Sequence, residues 1–203
     1  MRRIDGVEIL GRLLTPEDLV INRVGPLSDD WWNHRPQGAD MAFAPVILGS
    51  ITSTALGLAL ALPHRRVVAL DTDGSILMNT GILATLGNER PPNLTVFVFD
   101  NEVYESIGSP PTHTAGTTDL AAMAEGAGCI NCATVTDGAG FAARAGSMLD
   151  DDEMGFLVAK IEPGHDQWPW EQRKETDGVE DKYRFMRHVE RLEGTTVHDL
   201  RFW

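Results

Sequence analysis

The sequence is short of cysteine, of positive charge and of long apolar runs, and each shortage removes a class of protein. Its 203 residues hold two cysteines, Cys129 and Cys132. A zinc site would need a second such pair. A redox pair of the thioredoxin kind sits at a helix N-terminus, which lowers the thiol pKa. Here the C-x-x-C follows "LAAMAEGAG", a helix with its glycine stop, and leads into the strand "CATV". A structural role is expected for both thiols. Seventeen Lys and Arg against thirty Asp and Glu leave a net charge of −13. That balance argues against a nucleic-acid backbone or an anionic membrane as partner. A phosphate-bearing cofactor stays open, because a bound metal reverses the charge locally. The longest apolar run, residues 47–62, is interrupted by Gly49, Ser50, Thr52, Ser53 and Thr54. It is shorter than the roughly 20 residues a membrane span needs. "MRRIDGVEIL" has no continuous apolar core, so no secretory signal is expected and the protein reads as cytoplasmic. There are no internal repeats.

What is present is an alternation. The hydrophobic fraction of 42% is ordinary for a globular chain of this length, enough for one well-cored domain with an arm. "VEILGRLL" has helical spacing, and "LVINRVG" (19–25) reads as a strand closed by glycine. Residues 26–45 read as an irregular connection, and 49–62 as a helix rich in small residues. "VVAL" (67–70) and "TVFVF" (95–99) are strands apolar on both faces, with a helix over 76–88 between them. Helices over 118–128 and 138–149 alternate with strands over 132–135 and 155–161. The pattern predicts an α/β fold, three layers around a mostly parallel sheet. Residues 1–163 form that domain. Residues 164–203 are polar, charged and aromatic, with one helix near 178–192, and read as an interface arm.

Chemistry is expected beyond the carboxyl ends of the strands, where open parallel sheets bind ligands. Asp73 follows one strand and Asn101 follows the next, and the single crossover between them makes the two strands neighbours. Carboxylate and amide oxygens are hard donors suited to Mg²⁺, which takes phosphate oxygens for its remaining positions. Gly74 and Ser75 open a helix, whose free N–H groups favour phosphate. No G-K-[ST] follows a glycine-rich turn, so this is no P-loop.

Two families place an Asp-Gly pair at such a point. "VVALDTDGSIL" resembles the first motif of haloacid-dehalogenase-type phosphatases, with Asp71 as nucleophile and Asp73 as general acid. That likeness covers about ten residues, and the acidic run "LDDDEM" precedes a strand where the fold needs one to follow. "TDGS" (72–75) with "DN" (100–101) is similar to the G-D-G…N motif of the thiamine-diphosphate enzymes. The second likeness runs from about residue 5 to 163, strongest over 49–107. It is to the diphosphate-binding, C-terminal-type domain found in phosphonopyruvate decarboxylases and sulfopyruvate decarboxylase β subunits.

This resemblance implies thiamine diphosphate and Mg²⁺ as cofactors. Asp73 and Asn101 would bind Mg²⁺ by side chain and Val103 by its carbonyl, while Gly74 and Ser75 would hold the diphosphate. Leu48 would be the apolar wedge that bends the cofactor, and the Val46 carbonyl would accept from its aminopyrimidine. Tyr104 belongs either to the cofactor pocket or to the core. His113 lies on a loop that should border the site, with a substrate role or none. Thr72, Val46 and Ile47 depart from the family motifs. In the family, the glutamate that activates the cofactor lies on a separate pyrimidine-binding domain. The resemblance therefore implies no catalytic residue here and a partner subunit carrying that glutamate, in a hetero-oligomer acting on a small 2-oxoacid. A scaffold subunit without turnover is the rival, supported by the altered 46–47 segment. A 2-oxoacid:ferredoxin oxidoreductase β subunit would carry cluster cysteines that are lacking here.

Overall fold

A strand can return parallel to its neighbour only through a crossover, and the crossover helix then covers one face of the sheet. The computed structural model describes residues 1–23, 25–34, 41–45, 47–164, 168–173 and 177–196. Its strands are β1 (Leu19–Asn22), β2 (Ala42–Phe43), β3 (Val67–Thr72), β4 (Leu94–Asp100), β5 (Asn131–Val135) and β6 (Gly155–Lys160). All pair in parallel, in the order β2-β1-β3-β4-β6-β5. The helices are α1 (Arg3–Leu13), α2 (Pro26–His34), α3 (Ile51–Ala61), α4 (Asp73–Met78), α5 (Gly81–Glu89), α6 (Leu120–Gly126), α7 (Gly138–Asp150) and α8 (Gly178–Glu193).

Alternate strand residues feed two separate cores, which makes three layers. Val67 and Ala69 join α3, α5 and α6 on one face. Val68 and Leu70 join α1, α2 and α7 on the other. This is the α/β architecture expected. Among the described residues, no helix is long and apolar enough to cross a membrane.

Two local expectations need correction. The connection over 26–45 is not irregular: it carries α2 and the edge strand β2. Pro26 stands at the first helical position, where its missing N–H costs nothing. A buried ion pair of 2.7 Å between Arg3 and Asp30 ties α2 to α1, and Trp31 fills the core beneath it. The single helix expected over 76–88 is two, α4 and α5. Asn79 breaks it, because its Nδ2 donates 2.9 Å across to the Gly49 carbonyl.

The arm lies outside the sheet, and its described part folds back on the domain. Phe185 and Val189 of α8 enter the first core, and Glu193 accepts from Arg65 at 2.6 Å. Trp168 donates 2.7 Å to Asp30, whereas Trp170 is 81% exposed. Cys129 is buried in the first core and both thiols are free.

Candidate cofactor site

Chain direction reverses between β1 and β3: β1 leads outward to β2 on one side, and β3 leads to β4 on the other. At such a reversal the loops diverge to opposite faces and leave a crevice beyond the strand ends. A cleft of about 110 Å³ lies there, walled by Arg23 after β1, by Thr72 at the end of β3 and Asp73 to Ser75 after it, and by Asn101 and Val103 after β4. Asp73 and Asn101 are thus brought to one cleft, as adjacent strand ends require. Leu48 and Tyr104 line it too. Val46 lies outside the described residues.

Asp73 is 1% exposed, and its carboxylate is held by two threonine hydroxyls and the Gly74 N–H. Oδ2 accepts from Thr112 Oγ1 at 2.7 Å and from Thr114 Oγ1 at 3.2 Å. Oδ1 takes neither hydroxyl. Burial pushes the Asp73 carboxyl up to about 6, and the neighbouring Asp100 charge adds to the shift. Asp100 is fully engaged: Thr114 Oγ1 donates to Oδ1 at 2.7 Å and Lys160 Nζ to Oδ2 at 2.8 Å. Lys160 also reaches Glu102 at 2.7 Å. Glu102 takes a left-handed φ of 62°, a strained position for a non-glycine residue that such clamps hold in place. The kink sets Asn101 and Val103 on the same rim. Asn101 Oδ1 accepts from the Val103 N–H at 3.3 Å, which leaves the Val103 carbonyl and a second Asn101 lone pair for a cation.

Ser75 braces the cleft rather than offering its hydroxyl to a ligand. Ser75 Oγ accepts from Gly49 N at 3.0 Å, and its hydroxyl bonds Asp71. The turn carrying Leu48 is thereby tied to α4, at a glycine whose φ is +77°. Gly74 is required for packing, because a Cβ there would stand 2.7 Å from the Tyr104 ring. Tyr104 therefore belongs to the cleft and not to the core.

Asp71 does not serve the phosphatase reading. It is buried, its Oδ2 accepts from Thr52 at 2.7 Å on the α3 face, and it does not line the cleft. Burial pushes its carboxyl upward, which weakens a nucleophile. His113 is exposed and outside the cleft, while its neighbours Thr112 and Thr114 are buried against Asp73 and Asp100. Sequence reasoning passed over both threonines, Lys160 and Arg23. The alternation T-H-T after an expected site loop was the available signal for the threonines.

The residues present fit a Mg²⁺–diphosphate group. Among the described residues no cluster of three or more His, Cys, Asp or Glu stands ready to hold a metal. A cation at Asp73 would complete its shell from Asn101, a carbonyl and ligand oxygens, the donor set Mg²⁺ prefers.

Residues 30–159 match the family model for the thiamine pyrophosphate enzyme, C-terminal TPP binding domain. The chain belongs to that family. It is 29% identical over 192 residues to the sulfopyruvate decarboxylase subunit beta of Methanocaldococcus jannaschii, covering 94% of this chain and 98% of that one. The corresponding subunit of Methanothermobacter thermautotrophicus is 35% identical over 169 residues, covering 83% and 86%. A Streptomyces viridochromogenes phosphonopyruvate decarboxylase is 38% identical over 128 residues, which are 62% of this chain but 31% of that enzyme. Among solved structures, the 4-hydroxybenzoylformate decarboxylase of Rhodococcus jostii RHA1 shares the fold with a TM-score of 0.70 at 19% identity, covering 82% of this chain and 33% of that one. This thiamine-pyrophosphate-binding chain thus spans about a third of that larger enzyme.

Proposed function

We propose that the chain is the diphosphate-binding subunit of a two-component, Mg²⁺-dependent 2-oxoacid decarboxylase of the sulfopyruvate or phosphonopyruvate type, acting in the cytoplasm. One observation carries the reading. The buried carboxylate sits in a cleft rimmed by exposed apolar side chains, Met78 at 57% and Ile107 at 71%, with Ile47 at 70% beside Leu48. Its 110 Å³ falls well below the roughly 300–1,000 Å³ of a complete small-molecule pocket. Such a half-open cleft with an apolar rim is what a second subunit would cover. The relatives of nearly equal length are themselves named as β subunits.

In this reading Asp73, Asn101 and the Val103 carbonyl hold Mg²⁺, and the Gly74 and Ser75 N–H groups meet the diphosphate. Leu48 would support the cofactor as its apolar wedge, and Tyr104 covers Gly74. When bound, thiamine diphosphate supplies the electron sink that decarboxylation of a 2-oxoacid needs. The proton transfer that activates the cofactor falls to the partner's glutamate. The exposed part of the arm, with Trp170 and the 65%-exposed Val179, extends the partner-facing surface; residues 1–163 are the cofactor domain.

Exchange of the cofactor's C2 proton, followed by NMR, tests the division of labour. With this chain alone the rate should stay near that of free cofactor. Adding the partner should raise it by at least the 10²–10⁴-fold of general acid–base assistance. Fast exchange in the isolated chain would place an activating carboxylate within it and sink the two-component reading. Fast exchange with the partner, but no turnover of any 2-oxoacid, would favour the scaffold rival.

A further inference from the structure

The guanidinium of Arg23 lines the cleft, with Asp71, Asp73 and Glu105 near enough to act on its charge but with its Nε unbonded among the described residues. Arg23 follows β1, and its N–H donates 3.1 Å to the Leu70 carbonyl of β3. That bond fixes it beside the strand that ends in Asp73, at the point where chain direction reverses. Its side chain lines the same cleft as Asp73, Gly74 and Asn101. Nε is buried and has no hydrogen-bond partner among the described residues.

The surrounding carboxylates act on this charge from a distance, and their hydrogen bonds among the described residues go to other groups. Asp100 belongs to Lys160 and Thr114, and Glu105 faces Arg3 at 3.7 Å. Asp71 is taken by Thr52, Ser75 and the Thr72 N–H, and Asp73 Oδ2 by two threonines. A half-buried guanidinium whose buried Nε makes no hydrogen bond gains by meeting an acceptor there. Guanidinium also matches the oxygens of phosphate, sulfonate and carboxylate better than any other side chain.

We infer that Arg23 is an oxyanion receptor of this cleft, binding a phosphate oxygen of the cofactor or the acid group of the substrate. The inference rests on the cofactor site proposed above. It adds a cation to a site whose metal is already matched by Asp73. The diphosphate carries more negative charge than the metal's excess can offset.

Calorimetry separates the sources. Inorganic pyrophosphate with Mg²⁺ is titrated into wild type, Asp73→Ala, Arg23→Gln and Arg23→Lys. Wild type should bind and Asp73→Ala should not. Arg23→Gln should bind about 10–100-fold more weakly, the usual worth of a charge-assisted hydrogen bond, with Arg23→Lys between them. If Arg23→Gln binds pyrophosphate as wild type does, sulfopyruvate is titrated into chain loaded with thiamine diphosphate and Mg²⁺. A loss confined to this second titration assigns the oxyanion to the substrate. Equal binding in both titrations overturns the role of Arg23 and leaves the metal site standing. Failure of wild type to bind pyrophosphate removes the cofactor site itself, and Arg23 with it. The unliganded Arg23→Gln chain should melt no lower than wild type; a lower midpoint shows a structural arginine and overturns the inference.

Discussion

The two ends of the sheet use the same residue types to opposite purposes. At the amino end, Asp18 precedes β1 and Arg66 precedes β3. Arg66 Nε and Nη2 each donate 2.7 Å to the Asp18 carboxylate, and the Thr15 N–H adds a third bond. Both partners of that ion pair are satisfied within the chain. At the carboxyl end Asp73 keeps an oxygen free of its two threonines, and Arg23 keeps an unmade bond. Buried polar groups left incomplete mark a place where something else completes them. The first pair of charges holds the fold, and the second waits for a ligand.

The sharpest way to break this comparison is to remove one carboxylate at each end. Asp73→Ala should abolish Mg²⁺-dependent binding of thiamine diphosphate, a loss of at least about 100-fold by calorimetry, with little change in thermal midpoint. Asp18→Ala should do the reverse. It strands a half-buried guanidinium and should cost on the order of 1–3 kcal/mol of stability, with cofactor affinity unchanged once the chain is folded. If Asp73→Ala binds cofactor normally, the carboxyl end is no more functional than the amino end.

pH sharpens the comparison further. Asp73 titrates near 6 in the fold against an ordinary value of 3.8. Between those values the folded chain binds more protons than the unfolded one. Stability of the unliganded chain therefore falls as pH rises through about 4 to 6 and levels off above. Mg²⁺ needs the ionised carboxylate, so the proton competes with it. Affinity for Mg²⁺ and cofactor should be flat above about pH 6 and drop about tenfold per unit below it. A binding profile flat down to pH 4.5 would show that Asp73 is not the ligand.

A smaller effect is expected at Thr112. Thr112→Val removes the shorter of the two bonds to Asp73 Oδ2 and frees the carboxylate to rotate. Cofactor affinity should fall by about tenfold, the worth of one hydrogen bond to a charged group. Thr112→Ser, which keeps the hydroxyl, should restore it. Equal weakness in both variants would mean that the methyl group matters and the hydroxyl does not.

How much of this was legible in the sequence follows from the range of each interaction. Two-faced apolar strands and helical spacing are local patterns, so β3, β4 and their crossover could be read directly, and with them the meeting of Asp73 and Asn101 at neighbouring strand ends. The thiamine-diphosphate likeness located Leu48, Gly74 and Val103 through motif position. What stayed hidden depends on side chains reaching across the fold. Asn79 interrupts a helical pattern because of a carbonyl thirty positions away. α2 was masked by its two tryptophans and Pro26, and is held by Arg3, which no local pattern shows. Arg23 could not be distinguished from a surface arginine, because only an Nε left unbonded among the described residues sets it apart. The Ser75 hydroxyl braces Gly49 and Asp71, a contact made 26 positions along the chain that no motif shows.

The smallest effect is predicted for His113, and it limits what the carboxyl end means. A histidine on the loop after β4 lies at the functional edge, so position alone makes it attractive. Its side chain, however, points to solvent while Thr112 and Thr114 on either side turn inward to Asp73. His113 opens a short 3-10 turn, His113–Ala115, that buries Thr114 and leaves the histidine exposed. His113→Ala should therefore change cofactor affinity by less than about twofold, within the range of ordinary surface substitutions. The same calorimetric titration used for Thr112 measures it under identical conditions. A loss as large as that of Thr112→Val would mean that the loop turns over when ligand binds, bringing His113 inward. The division between the two ends would then have to be drawn by motion as well as by place.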